Sequence, residues 1–204
     1  MGEFIAGLDL GQAADYSALV VLERTIRATN APSLRRPTTA MGHYACRALK
    51  RWPLGTSYPA IVAEVVDWTR TPALKGATLV VDGTGVGRAV VDLFRRKQLT
   101  ARLAPVTVTA GRRTRLRGGF HSVPKGCLIG ALQQVLGQQR LQFSAKLPEA
   151  PALLRELHNH RVKVSATLHE TFGAAAGDHD DLLSALMLAI WWGERTPTGV
   201  LQAI

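Results

Sequence analysis

Cysteine, acidic residues and long apolar runs are scarce in this sequence. Its 204 residues include two cysteines, Cys46 and Cys127, which are too few and too isolated for a disulfide framework or a zinc site. The N-terminus lacks the charged start and cleavage site of a signal peptide. The longest apolar run, from Leu182 to Trp192, contains Ser184 and is too short to cross a bilayer. We therefore expect a cytoplasmic protein that is neither secreted nor embedded in a membrane.

Nucleotide-binding motifs are also missing. The sequence contains no Gly-x-x-x-x-Gly-Lys-Ser/Thr phosphate loop. The turn from Gly83 to Gly87 is rich in glycine, but Arg88 stands where a dinucleotide-binding turn would place its third glycine, and Asp82 precedes it. We therefore predict no nucleotide cofactor.

Positive charge dominates what is present. The 25 Lys and Arg residues outnumber the 15 Asp and Glu residues, which gives a formal net charge of +10. An extended polyanion is therefore a more plausible partner than an acidic small molecule. Four arginines lie in one segment bounded by glycines, which predicts a basic loop or hairpin that contacts phosphates together with Lys125. These arginines are Arg112, Arg113, Arg115 and Arg117.

The order of apolar segments predicts an α/β fold in one domain over residues 1–204, with a basic hairpin or loop at about 108–122. Three strands form an antiparallel meander, and strands that alternate with helices extend the sheet in parallel. The sheet should have five or more strands and helices on its faces. The predicted strands cover about 4–10, 17–24, 40–50, 77–82, 103–109 and 141–143, with a strand pair within 161–172. The predicted helices begin near Ser57, Val86, Pro124, Glu149 and Asp178.

Two strands carry a carboxylate at the end of an apolar run. Asp9 lies in the first strand and Asp82 ends the fourth, and right-handed crossovers would make these two strands neighbours. An unpaired buried carboxylate costs several kcal/mol or more, so a cation should lie nearby. The alternative for Asp9 is an ordinary turn-capping role at the end of its strand.

A third acidic group stands at the start of the last helix, in Gly177-Asp178-His179-Asp180-Asp181. Acidic residues favour helix N-termini, and Asp178 with Asp181 could form a reciprocal cap. Three carboxylates so close together exceed what capping needs, which favours a cation site. Carboxylates without paired His or Cys select hard cations such as Mg²⁺ or Mn²⁺.

Taken together, these segments resemble a known family. Asp9-Leu10-Gly11 on a buried strand, Val80-Val81-Asp82, and the His179-Asp180-Asp181 helix resemble ribonuclease H-like nucleases, and more narrowly the nuclease domain of tailed-bacteriophage large terminases. The resemblance implies an endonuclease that cuts concatemeric viral DNA with little sequence specificity during genome packaging, by two-metal-ion phosphodiester hydrolysis. It also implies Mg²⁺ or Mn²⁺ as cofactor.

The resemblance further implies a role for each acidic residue. Asp9 would bridge both ions, Asp82 would hold the ion beside the leaving oxygen, and Asp181 or Asp180 would hold the ion that activates water. Asp15 would be a supplementary ligand or a turn residue. His179 and Asp178 would orient the metal-binding carboxylates rather than bind the metal themselves. The spacing of Leu182, Leu186 and Ala189 places position 178 or 181, rather than 180, on the buried face.

The implied partners are double-stranded DNA, a terminase ATPase domain, a small terminase subunit and a portal. The ATPase motif is absent here, so we expect the chain to correspond to an isolated nuclease domain or to the product of a truncated gene. Two alternatives remain open: a nuclease that resembles a Holliday-junction resolvase, and a DNA-binding module without catalysis. Metal-independent DNA binding without cleavage would favour the module.

Overall fold

The computed structural model describes residues 2–11, 15–29, 39–164, 170–173 and 180–195. The strands are β1 (Glu3–Asp9), β2 (Ala18–Thr29), β3 (Thr39–Arg51), β4 (Thr78–Asp82), β5 (Arg102–Thr109), β6 (Arg115–Arg117), β7 (Phe120–Pro124), β8 (Leu141–Phe143), β9 (Arg161–Val164) and β10 (Glu170–Gly173). The helices are α1 (Tyr58–Thr69), α2 (Gly87–Arg95), α3 (Lys125–Gly137), α4 (Ala150–Asn159) and α5 (Asp181–Arg195).

Eight strands form one mixed sheet in the order β6-β7-β5-β4-β1-β2-β3-β8, and β9 and β10 pair separately. The meander β1-β2-β3 is antiparallel, whereas β4 and β5 add to β1 in parallel. The predicted meander with a parallel extension is therefore confirmed, and so is the antiparallel strand pair within 161–172.

Helices cover both faces of the sheet because its strands are apolar on both sides. On one face, side chains such as Ile5, Val20 and Val80 pack with α3, α4 and α5. On the other face, Leu8, Val21 and other strand residues pack with α1 and α2. Of the described helices, none is long and apolar enough to span a membrane.

The basic segment is a hairpin whose second strand belongs to the main sheet. β7 pairs in parallel with β5, although the sequence predicted only a hairpin or loop insertion there. Gly118 and Gly119 form the two-residue turn between β6 and β7, and both have positive φ, of 58° and 77°. Glycine adopts this conformation without the steric cost of a Cβ atom, so it favours such tight hairpin turns.

The last helix is held at its far end by a buried ion pair. Arg140 Nη2 donates to Glu194 Oε2 at 2.7 Å, and Arg140 Nη1 donates to Glu194 Oε1 at 2.8 Å. Tyr44 also donates its hydroxyl to Glu194 Oε1 at 2.6 Å. This pairing holds the pKa of Glu194 below its usual range against the effect of burial. The network fixes α5 to β3 and to the chain before β8.

Candidate metal centre

Asp9 and Asp82 end two neighbouring parallel strands in the middle of the sheet. β1 pairs with β4 in a register that places Leu8 opposite Val81. Side chains alternate between the faces of a strand, so Asp9 shares a face with Ile5, and Asp82 shares a face with Val80. Ile5 and Val80 both lie in the core beneath α5. The two carboxylates therefore project from one edge of the sheet on the α5 side.

A glycine in β1 lets α5 approach this edge closely. A Cβ atom at Gly7 would lie 2.0 Å from the carbonyl oxygen of Ala185, so no larger residue fits without moving the helix. Asp181 precedes Ala185 by four residues and therefore lies on the same side of α5, one turn closer to its N-terminus. Asp181 is buried, with 5% of its surface exposed, and Asp180 is half-buried.

The helix begins at Asp181, later than the predicted start near Asp178. Asp180 directly precedes the first helical residue, and its carbonyl oxygen accepts the backbone N–H of Ser184 at 2.8 Å. The carboxylates of Asp180 and Asp181 therefore stand at the positive end of the helix dipole. Asp178 and His179 lie outside the described residues.

The electrostatics of Asp9 reflect this crowding. Burial raises the pKa of the Asp9 carboxyl well above its usual range, and the charges of Asp82, Asp181 and Asp180 raise it further. The backbone N–H of Leu10, which donates to Asp9 Oδ1 at 3.1 Å, opposes the shift in pKa. The negative charges of β1, β4 and α5 therefore act on one another, and a bound cation would relieve their repulsion.

The carboxylate of Asp82 has more stabilising partners than that of Asp9. Burial raises its pKa, while the N–H of Thr84, which donates to Asp82 Oδ1 at 2.7 Å, and the charge of Lys125 lower it. Asp82, Thr84 and Lys125 line a cavity of about 200 Å³ together with Ser184 of α5. Lys125, predicted as a DNA contact, therefore lies beside the acidic residues at the start of α3.

Glu156 is an acidic residue of this region that sequence reasoning missed. It is buried on α4, and its Oε2 accepts the backbone N–H of Leu183 in the first turn of α5 at 2.8 Å. Burial raises the pKa of Glu156 to about 7, and the charges of Asp181 and Asp180 add to that increase. The sequence feature that could have identified Glu156 is its position on the buried face of α4, three residues after Leu153.

His160 follows α4 and was also missed. Both of its ring nitrogens are buried and have no hydrogen-bond partner within the part of the chain that the structure describes. Burial lowers its pKa, the charge of Asp180 raises it and the charge of Lys125 lowers it. His160 therefore shares the electrostatic environment of the acidic cluster.

The remaining predicted residues are Asp15 and the four arginines of the basic segment. Asp15 is exposed and lines a separate cavity of about 130 Å³ with Gly11, Ser17 and Tyr58. The four arginines predicted to contact DNA are all exposed: Arg112, Arg113, Arg115 and Arg117. Arg115 and Arg117 belong to β6.

The donor set suits a hard cation, although it does not enclose one. Among the described residues, no three His, Cys, Asp or Glu side chains converge closely enough to form a metal shell. The carboxylates nevertheless come from three elements that meet at one edge, and their mutual repulsion raises the pKa of Asp9. Oxygen donors of this kind match Mg²⁺ or Mn²⁺ rather than a soft metal.

Comparison with solved structures identifies the fold. The large terminase nuclease of thermophilic phage G20c, solved with bound magnesium, matches with a TM-score of 0.65 and 22% identity, over 93% of this chain and 80% of its own. The large terminase nuclease domain of Thermus phage P74-26 matches with a TM-score of 0.59 and 20% identity, over 92% of this chain and 78% of its own. The large terminase nuclease domain of bacteriophage SPP1, solved with bound Mn, matches with a TM-score of 0.55 and 12% identity, over 92% of this chain and 84% of its own.

Neither the protein-family models nor the curated proteins include a match to this chain. The similarity to solved structures spans nearly all of the chain. The chain therefore has the ribonuclease H-like fold of large terminase nuclease domains, as its sequence motifs predicted.

Proposed function

We propose that this chain is a metal-dependent DNA endonuclease that cuts concatemeric viral DNA during genome packaging. The observation that carries the proposal is the position of Asp9. It lies half-buried at the end of the central strand β1, beside Asp82 on β4, and its pKa is raised by desolvation and by the charges of Asp82 and Asp181. The terminase nucleases that share the fold include examples with bound magnesium and manganese.

In this proposal, Asp9, Asp82 and Asp181 hold Mg²⁺ or Mn²⁺, with Asp180 as the alternative or additional ligand from α5. Two ions held there would supply the chemistry of activating a water molecule and stabilising the leaving oxygen of a phosphodiester. Thr84 keeps the Asp82 carboxylate oriented through its backbone N–H. Glu156 orients the start of α5, and thereby Asp181, through its bond to Leu183.

Substrate contact would fall to the basic residues. Lys125 lines the cavity beside Asp82, and the arginines of the hairpin are exposed. Arginine and lysine contacts to phosphates position DNA without reading its sequence. Cleavage with little sequence preference is the expected consequence. Packaging would take place in the host cytoplasm, with a terminase ATPase domain, a small subunit and a portal as partners.

The test is incubation of supercoiled plasmid with purified protein in Mg²⁺, Mn²⁺ or EDTA. The wild type should nick and linearise the plasmid only with metal, and Asp9→Asn and Asp82→Asn should each abolish cleavage. Asp67→Asn is the matched control, because Asp67 is an exposed carboxylate on α1 that pairs with Arg70. Its activity should equal that of the wild type.

Cleavage that persists in EDTA, or in folded Asp9→Asn protein, would contradict the proposal. DNA binding without cleavage under either metal would leave only a binding module. Circular dichroism of each variant establishes whether a loss of cleavage comes from the site or from unfolding.

A further inference from the structure

A second basic surface lies on the α2 side of the hairpin. An open groove of about 550 Å³ runs between α2 and the β6–β7 hairpin. Three exposed arginines line the groove: Arg88, Arg95 and Arg117. The carboxylate of Asp92 also lines it and offsets part of their positive charge. Of these three, only Arg117 belongs to the basic segment noted in the sequence.

The two arginines of α2 are held in place by one aromatic ring. The guanidinium carbon of Arg88 lies 4.8 Å from the centre of the Phe120 ring, and that of Arg95 lies 5.2 Å from it. Arg88 and Arg95 are seven residues apart, so they project from the same face of the helix. Their side chains are therefore ordered before any ligand binds, which lowers the entropic cost of binding.

Phe120 also connects this groove to the edge that carries Asp82. A Cβ atom at Gly83 would lie 2.7 Å from Phe120 Cε1, so the ring packs directly against the residue that follows Asp82. Across the sheet, Asp82 pairs with Val106 and Val106 pairs with His121, so Phe120 lies about one residue from the level of Asp82. The groove therefore begins beside the turn after Asp82, on the face opposite to α5.

From this geometry we infer that the groove binds the phosphate backbone of DNA next to the cleavage site, with Arg88 and Arg95 as its main contacts. The inference rests on the proposed nuclease function, which supplies the substrate. Guanidinium groups bind phosphates with paired hydrogen bonds, and a concave, mostly basic surface beside an acidic centre suits a polyanion. The DNA would cross the carboxyl edge of the sheet from the α5 side to the α2 side.

The matched control arginines directly follow α1 and α2 and lie outside the groove. Arg70 pairs with Asp67 at 3.0 Å, and Arg95 pairs with Asp92 at 3.0 Å, both with i,i+3 spacing and both exposed. Arg96 is exposed, directly follows α2 and is not among the residues that line the groove. The pair Arg88→Gln with Arg95→Gln therefore removes the same charge as the pair Arg70→Gln with Arg96→Gln.

The experiment measures binding of a short fluorescein-labelled DNA duplex by anisotropy in EDTA, over a range of salt concentrations. The double variant Arg88→Gln with Arg95→Gln should weaken DNA binding about 5- to 10-fold more than the control variant Arg70→Gln with Arg96→Gln. It should also reduce the slope of the log of the binding constant against the log of the salt concentration by about 2. Asp92→Asn should tighten binding, because it removes the carboxylate of the groove, whereas Asp67→Asn should have no such effect.

Equal losses in the two double variants, or an unchanged affinity of Asp92→Asn, would overturn the groove as a DNA site. A wild type that binds no duplex would overturn it as well. The plasmid assay separates these outcomes from the proposed function, because metal-dependent cleavage by the wild type stands or fails independently of the groove variants.

Discussion

Asp9 combines burial with three neighbouring negative charges, so it should weaken the fold that holds it. Because its pKa is raised in the folded state, stability is lost as the pH rises through that pKa. We expect Asp9→Asn to raise the free energy of unfolding at pH 8 by about 0.5–2 kcal/mol while abolishing cleavage. Urea unfolding and the plasmid assay measure the two effects. A folded variant that gains no stability and still cuts would contradict both expectations.

Glu156 should make stability depend on pH near neutrality. Its pKa of about 7 in the folded state exceeds the ordinary value of 4.5, so its contribution to stability is lost as the pH rises from about 4.5 through 7. We expect Glu156→Gln to be more stable than the wild type by about 2 kcal/mol at pH 8 and nearly equal to it at pH 4.5.

Glutamine keeps an oxygen that can accept the N–H of Leu183, so this substitution tests the charge alone. Thermal unfolding at both pH values measures the difference. An equal difference at the two pH values would mean that Glu156 does not titrate in this range.

At the same scale, sequence reasoning found some of these residues for physical reasons. Asp9 and Asp82 stand out because a carboxylate in an apolar strand is costly, and helical spacing placed position 178 or 181 inside, which agrees with the burial of Asp181. Glu156 gave only the helical spacing that places it on the buried face of α4, and His160 gave no signal. Their environment depends on how α4 packs near α5, which a local pattern does not encode.

At the scale of elements, the contact between β1 and α5 decides where Asp181 lies. Gly7→Ala would bring a methyl group against the carbonyl of Ala185, so we expect a loss of about 3 kcal/mol in the free energy of unfolding. Cleavage should also fall, because the helix would move away from β1. Gly130→Ala is the control, since a Cβ atom there has no neighbour within 4 Å and alanine favours the helix by about 0.5–1 kcal/mol.

Denaturant unfolding and plasmid cleavage of both glycine variants check this prediction. A Gly7→Ala protein as stable and active as the wild type would show that α5 can shift without affecting the site.

Elements with clear periodicity were the ones that the sequence predicted well. The meander, the parallel strands and the helix after Pro124 all follow from alternation, apolar spacing and capping residues. The predicted basic hairpin is present as β6 and β7, but the pairing of β7 with β5 was not predicted, because it joins residues that are distant in the sequence. Glu194 and Arg140 are likewise joined across 54 residues.

For the whole molecule, the two cysteines report on global unfolding. Cys46 is buried in β3, and burial raises the pKa of its thiol to about 12, whereas Cys127 is exposed on α3. We expect a thiol reagent to modify Cys127 rapidly in the native protein and Cys46 only when the sheet opens. The Cys127→Ser variant should therefore show a single slow phase that accelerates in denaturant. Rapid labelling of Cys46 in native buffer would contradict this expectation.

β1 and α5 are the first and the last of the described elements, and their direct contact has a consequence for biosynthesis. A ribosome releases α5 long after β1, so a nascent chain holds Asp9 and Asp82 without Asp181. The acidic cluster therefore forms only after α5 has been synthesised, and the proposed cleavage activity would require that step. Under the proposed function, a nascent chain that lacks α5 would not cut DNA. Under the same proposal, a fragment that lacks α5 and a fragment that supplies it should each be inactive and should recover cleavage when mixed.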